Sequence, residues 1–204
     1  VLYNLNQEKL ARTLFPIGKY DKDAIREMAK KIGLEVHNKP DSQDICFIPD
    51  HDYEGFLKEN SKKKVEAGNF VDRSGKVLGR HKGIISYTIG QRKGLGITFG
   101  KPTYVVAING QDKSIVLGDN GDLFKTSLTA RDVNFVEWSQ DEVVGPIDVY
   151  AKVRYAAKPA QAKVTYIGKY RVRVDFVEPQ RAITSGQSVV FYSEDRLLGG
   201  GIIE

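Results

Sequence analysis

A single cysteine, Cys46, stands in the segment Lys39-Pro40-Asp41-Ser42-Gln43-Asp44-Ile45-Cys46-Phe47-Ile48, polar and turn-prone up to Asp44 and apolar around the thiol. This pattern sets a sulfur at the end of a short strand beside a loop. The chemistry on offer is nucleophilic or sulfur-carrying, and its reactive form is the thiolate. A thiol of ordinary pKa, about 8.5, is only a few per cent thiolate at neutral pH, so a working cysteine needs a helper. Lys39 is close in sequence, and His37 and His51 are the other candidates. On the residues alone, a cysteine between isoleucine and phenylalanine is more commonly an inert buried thiol.

The second chemistry is polyanion binding. Between Asp72 and Asp112 there is no acidic residue, while Arg73, Lys76, Arg80, Lys82, Arg92, Lys93 and Lys101 all fall there. These seven positive charges exceed the net charge of +5, so the rest of the chain is slightly acidic. A localised field of one sign is the footprint of a nucleic-acid site. The plain alternative is a solvated basic face. Gln91, Arg92 and Lys93, with Arg80 and Lys82, are the candidate contacts. Glycine recurs in the same window, at 75, 79, 83, 90, 94, 96 and 100, and suits either close phosphate approach or tight hairpins.

Other chemistries find no support. Three scattered histidines and one cysteine do not make a zinc site. Asp41 and Asp44 beside Pro40 shape a turn more readily than they act as paired carboxylates. Gly94-Leu95-Gly96 lacks the spacing of a dinucleotide fingerprint, and no Lys-Ser/Thr follows it as in a phosphate-binding loop. No motif supports Ser-His-Asp catalysis. A single cysteine rules out a disulfide within these residues and fits a reducing, cytoplasmic compartment. No apolar run approaches the roughly 20 residues that cross a bilayer, so no membrane partner is expected.

The elements that must position these residues fall into three regions. Residues 1–60 carry helical spacing from Asn6 to Gly33, with Asp21 as N-cap and Ile25, Met28, Ala29 and Ile32 on one face. Short strands are expected at 34–36 and 45–48, then a short helix bearing Tyr53, Phe56 and Leu57. Lys62 to Lys64 read as a linker. Residues 61–124 form a small basic β domain, with hairpin signals at 71–77 and 109–113. Residues 125–204 alternate in short strands at 133–136, 147–154, 162–167, 171–176 and 188–192, the pattern of a small closed barrel. Gly199-Gly200-Gly201 allows close backbone packing, and Trp138 belongs to the core or rim of that barrel. The fold class expected is α+β, mainly β.

Six blocks carry a resemblance. Besides the Cys46 segment they are Leu14-Phe15-Pro16-Ile17-Gly18, Gly79-Arg80-His81-Lys82-Gly83-Ile84, and Tyr87-Thr88-Ile89-Gly90-Gln91-Arg92-Lys93-Gly94-Leu95-Gly96-Ile97. Gly186-Gln187-Ser188-Val189-Val190-Phe191-Tyr192 and the closing Leu198-Gly199-Gly200-Gly201-Ile202-Ile203-Glu204 complete them. In this order the chain resembles the tRNA-specific 2-thiouridylases, which replace the C2 oxygen of the wobble uridine with sulfur.

The resemblance implies a C-terminal portion of such an enzyme. Residues 1–60 would then be the remnant of an α/β nucleotide-binding domain whose ATP-holding Ser-Gly-Gly-x-Asp-Ser loop does not occur here. A small central domain and a β-barrel follow. It further implies that Cys46 carries a persulfide loaded by a sulfur-donor protein, a cysteine desulfurase or a relay protein. A second cysteine outside this chain would then resolve that persulfide through a disulfide. ATP would activate the uridine oxygen in the absent domain, and this chain alone would not turn over. The resemblance also marks Arg154-Tyr155 and Gln187 as tRNA contacts; read from the residues alone, they are an exposed strand end and a turn residue. Two alternatives stand beside this reading: an RNA-binding module with a purely structural cysteine, and a protein-to-protein sulfur carrier.

Overall fold

The computed structural model describes residues 2–40, 48, 52–60, 65–98, 100–138 and 145–204. Cys46, the strand expected around it, His51, Asp41, Asp44 and the 62–64 linker lie outside the described residues. Residues 8–60 form one unit; the first few residues and 61–204 form another.

In the first unit, helices α1 (Gln7–Ala11) and α2 (Lys22–Lys31) replace the continuous helical run expected from Asn6 to Gly33. Pro16 cannot continue a helix. Successive turns take its place, Gly18 N–H donating to the Phe15 carbonyl and Tyr20 N–H to that of Ile17. Asp21 caps α2 as expected, accepting from Ala24 N–H at 2.8 Å. The helix ends in paired bonds from Gly33 N–H to Lys30 O and Leu34 N–H to Ala29 O, a Schellman exit. That exit delivers the chain into a 3₁₀ turn at Glu35–Asn38, where a strand at 34–36 was expected. No partner strand stands beside it among the described residues. Ile32, 72% exposed, shows that the apolar stripe of α2 is not enclosed by the described residues. Helix α3 (Tyr53–Asn60) follows, with Asp52 accepting from Gly55 N–H.

The second unit opens with two hairpins, β1 (Gly68–Val71) with β2 (Val77–His81), and β3 (Tyr104–Asn109) with β4 (Ser114–Gly118). Their order is β2-β1-β4-β3, and the central β1–β4 pair is parallel. Both turns use one device. Asp72 Oδ1 accepts from Ser74 N–H, Ser74 Oγ–H and Lys76 N–H; Asp112 Oδ1 accepts from Ser114 N–H and Oγ–H. Phe70, Val105 and Ile115 are fully buried at the centre.

Strands β5 (Phe124–Phe135), β6 (Ile147–Lys152), β7 (Ala160–Gly168), β8 (Arg171–Arg181), β9 (Ser188–Ser193) and β10 (Arg196–Ile203) close a barrel in the order β10-β5-β8-β7-β6-β9. The expected class, mainly β with a barrel, is what is found. Alternation fills the interior: Val149 and Ala151, Ala162 and Val164, Val172, Val174 and Phe176, Val189 and Phe191. In β5 the inward phase slips between Ala130 and Val133, where Asp132 takes a positive φ of 51° and bulges the strand.

Strand β10, unforeseen as a strand, is where the three glycines act. A Cβ on Gly199 would stand 2.5 Å from Asn134 O, and one on Gly200 2.7 Å from Val189 O and 2.8 Å from the Tyr3 ring. Their absence lets Tyr3 lie over the strand, with its hydroxyl 2.9 Å from Ser188 Oγ. Trp138 packs edge-on to Phe135 and is half-buried.

Candidate nucleic-acid interface

The loop carrying Arg92 and Lys93 is zipped onto β3. Gly90 N–H donates to Val105 O at 2.8 Å and Val105 N–H to Gln91 O at 2.9 Å. The Gln91 side chain is spent inside the loop, accepting from Thr88 N–H and donating to Lys93 O. Leu95 is buried just beyond. Gln91 therefore shapes a turn from which Arg92 and Lys93 project, both exposed.

Arg80 and Lys82 stand on and just after β2, the opposite edge of the sheet from β3. Between them His81 is buried. Its Nδ1 accepts from Gly83 N–H, which leaves Nε2 to donate to Lys113 O at 2.9 Å. Its ring packs edge-on against Phe70 and Tyr87. Arg80 and Lys82 are thus presented by a histidine whose own nitrogens are both engaged.

The basic window is less unopposed than its sequence suggests. Asp119 and Asp122, just past its end, close a capping box at Asn120–Leu123. They also take Lys101 at 2.9 Å and Arg73 at 2.6 Å. Among the described residues no ion pair engages Arg80, Lys82, Arg92 or Lys93. Hydrogen bonding, chiefly from the Ser74 hydroxyl, holds the Asp72 carboxyl below its ordinary range. The Ser114 hydroxyl does the same for Asp112.

Arg154 and Tyr155 follow β6, and Gln187 precedes β9. These strands pair antiparallel, Lys152 opposite Val190, so all three residues lie at one end of the barrel. Tyr155 is 98% exposed, with Lys152 Nζ 5.9 Å from its ring centroid. The Gln187 backbone is fixed, its carbonyl accepting from Ile203 N–H, while its side chain is exposed.

The same end of the barrel meets the sheet through Arg181. Its guanidinium lies over Tyr104, its Nε–H donates to Asn120 Oδ1 at 3.1 Å, and its carbonyl accepts from Arg154 Nη2 at 3.4 Å. A Cβ on Gly90 would stand 3.2 Å from that of Ala182. Gly90, at the base of the Gln91–Lys93 loop, and Arg154 thus meet at the Arg181–Ala182 junction, while Arg80 and Lys82 lie across the sheet. Arg181 and Tyr104 had no signal in the sequence: a lone arginine after Pro179 and a tyrosine opening a strand carry no spacing. Among the described residues no three His, Cys, Asp or Glu side chains cluster as metal ligands, and no helix is long and apolar enough to cross a membrane.

Three family models follow one another along the chain. They are a tRNA methyl transferase HUP domain at residues 1–50, a tRNA methyl transferase PRC-barrel domain at 54–119, and an aminomethyltransferase β-barrel domain at 125–203. Over 203 residues the chain is 58% identical to the tRNA-specific 2-thiouridylase MnmA of Clostridioides difficile strain 630, covering all of this chain and 56% of that protein. It is 56% identical over 204 residues to MnmA 2 of Clostridium botulinum strain Hall, covering 57% of it. With MnmA 1 of the Loch Maree strain the figure is 59% over 203 residues and 56% of the relative. The chain spans a little over half the length of these relatives.

Proposed function

The chain belongs to the tRNA-specific 2-thiouridylase family, and from that premise we propose that it supplies the tRNA-gripping surfaces and the sulfur-bearing thiol of a tRNA-uridine 2-sulfurtransferase. The observation that carries this reading is identity across the whole chain to proteins of that description. The placement of Gly90, at the base of the Arg92–Lys93 loop, against Ala182 and beside the Arg181 carbonyl that holds Arg154 supports it, since cations near an exposed tyrosine suit phosphates and an unstacked base.

In this reading the Cys46 thiolate takes the outer sulfur of a donor persulfide, freeing the donor thiol, to give Cys46-S-SH. Its outer sulfur attacks C2 of the adenylated wobble uridine, and AMP leaves with the C2 oxygen. A second thiol outside this chain then cleaves the S–S bond, forming a disulfide with Cys46. Arg92, Lys93, Arg154, Tyr155 and Gln187 hold the RNA, Gln91 by shaping its loop, and Arg80 and Lys82 extend the contact along the far edge of the sheet. The ATP that activates the uridine is assigned to no residue here. The glycine-rich run from Gly90 to Gly100 leads into β3 and not into a helix, so it does not form the helix N-terminal cradle of nucleotide phosphates.

Intact-mass measurement after incubation with a cysteine desulfurase and free cysteine tests the sulfur role. A reducible gain of one sulfur is expected in the unmodified chain and not in Cys46→Ser. An unloaded and unreactive thiol, with tRNA binding intact, would leave an RNA-binding module with a structural cysteine.

A further inference from the structure

At the end of the barrel that bears Arg154 lies a cleft of about 560 Å³. Strand register explains its walls. Phe124 opens β5 opposite Arg181, and Tyr150 on β6 sits opposite Gln161 on β7. Because Val149 and Ala151 point into the barrel, Tyr150 faces outward. Phe124 and Tyr150 stay 43% and 42% exposed, two aromatic faces left open on one surface. Gln161 Nε2 donates to the Tyr150 hydroxyl at 3.3 Å and steadies the ring.

Charge gives the cleft its sign. Arg154, Lys158 and Arg181 line it against one carboxylate, Glu178, a balance of three positive charges to one negative. Among the described residues no ion pair engages Arg154 or Lys158. The volume lies within the roughly 300–1,000 Å³ of small-ligand sites. Open aromatic faces next to unpaired cations are what an unstacked nucleotide requires: rings for the base and charge for the phosphate.

We propose that this cleft receives one unpaired nucleotide of tRNA, its base against Tyr150 and Phe124 and its phosphate on Arg154 and Lys158. The proposal rests on the tRNA-binding reading above and adds to it a base-holding subsite on the barrel wall. Tyr150 is the residue on which it turns.

The test is photocrosslinking of a tRNA transcript carrying 4-thiouridine, with peptide mapping, alongside titration of the unmodified transcript. Adducts are expected on the Tyr150 or Phe124 peptides. Tyr150→Leu should weaken tRNA binding about tenfold with unchanged thermal unfolding, and Tyr150→Phe, which keeps the stacking face, should restore it. If Tyr150→Leu binds like the parent while Arg92→Glu binds weakly, the cleft is overturned and the tRNA reading stands. If the unmodified chain binds no tRNA, both fall. Adducts confined to other peptides would likewise overturn the cleft.

Discussion

The guanidinium of Arg181, the last residue of β8, lies 5.5 Å from the centroid of the Tyr104 ring, the first residue of β3. One side chain therefore ties the barrel to the sheet, and its backbone carbonyl holds Arg154 at the same point.

Arg181→Ala should lower unfolding stability by about 1–3 kcal/mol, combining a cation–π contact with a lost hydrogen bond to Asn120. Arg181→Lys recovers only part, because an ammonium lacks the planar fork that stacks on Tyr104. Denaturant titration of Arg181→Ala, Tyr104→Leu and the double variant checks the pairing. Strictly additive losses would show that the two residues do not act together.

Gly90 should not tolerate a side chain. Its φ is 88°, and an added Cβ would press on Ala182. Gly90→Val is expected to cost about 2–4 kcal/mol from backbone strain and overpacking together. It should also weaken tRNA binding, because Arg92 lies two residues on. Equilibrium unfolding and tRNA titration of the same variant measure both effects.

The hairpin turns carry an acid-labile element. The Asp72 carboxyl is held below its ordinary value of 3.8 by the Ser74 hydroxyl, aided by the amides of Lys76 and Ser74. A folded-state value below the unfolded one means that the contribution is complete above the ordinary carboxylate range. It is lost as pH falls through the lowered value. Amide exchange at Lys76 should therefore accelerate below that range in the parent and be already fast, and much less pH-sensitive beyond intrinsic exchange, in Asp72→Ala.

The barrel and both hairpins were legible because period-2 alternation and turn residues are local signals, although β5, expected only at 133–136, runs Phe124–Phe135. β10 was not, since Gly199-Gly200-Gly201 has no alternation; its pairing is set by the carbonyls of β5 and β9 that crowd around it. The strand expected at 34–36 failed for the opposite reason: its residues favour extension, but among the described residues no partner edge stands there. Arg92 and Lys93 were visible as charge, whereas the neutralisation of Arg73 and Lys101 was not. The acids responsible, Asp119 and Asp122, lie outside the window and reach back only in the fold. The junction at Arg181 joins residues far apart in sequence, and no spacing announces it.

The most direct measurement is tRNA affinity as a function of salt, for the unmodified chain and for a triple variant Arg92→Ala, Lys93→Ala, Arg154→Ala. Each phosphate contact removed should reduce the slope of log affinity against log salt by about one. The account predicts weaker binding and a shallower slope for the triple variant, with Arg73→Ala, whose charge Asp122 already engages, close to the parent. An unchanged slope in the triple variant would contradict the convergence of these residues on tRNA.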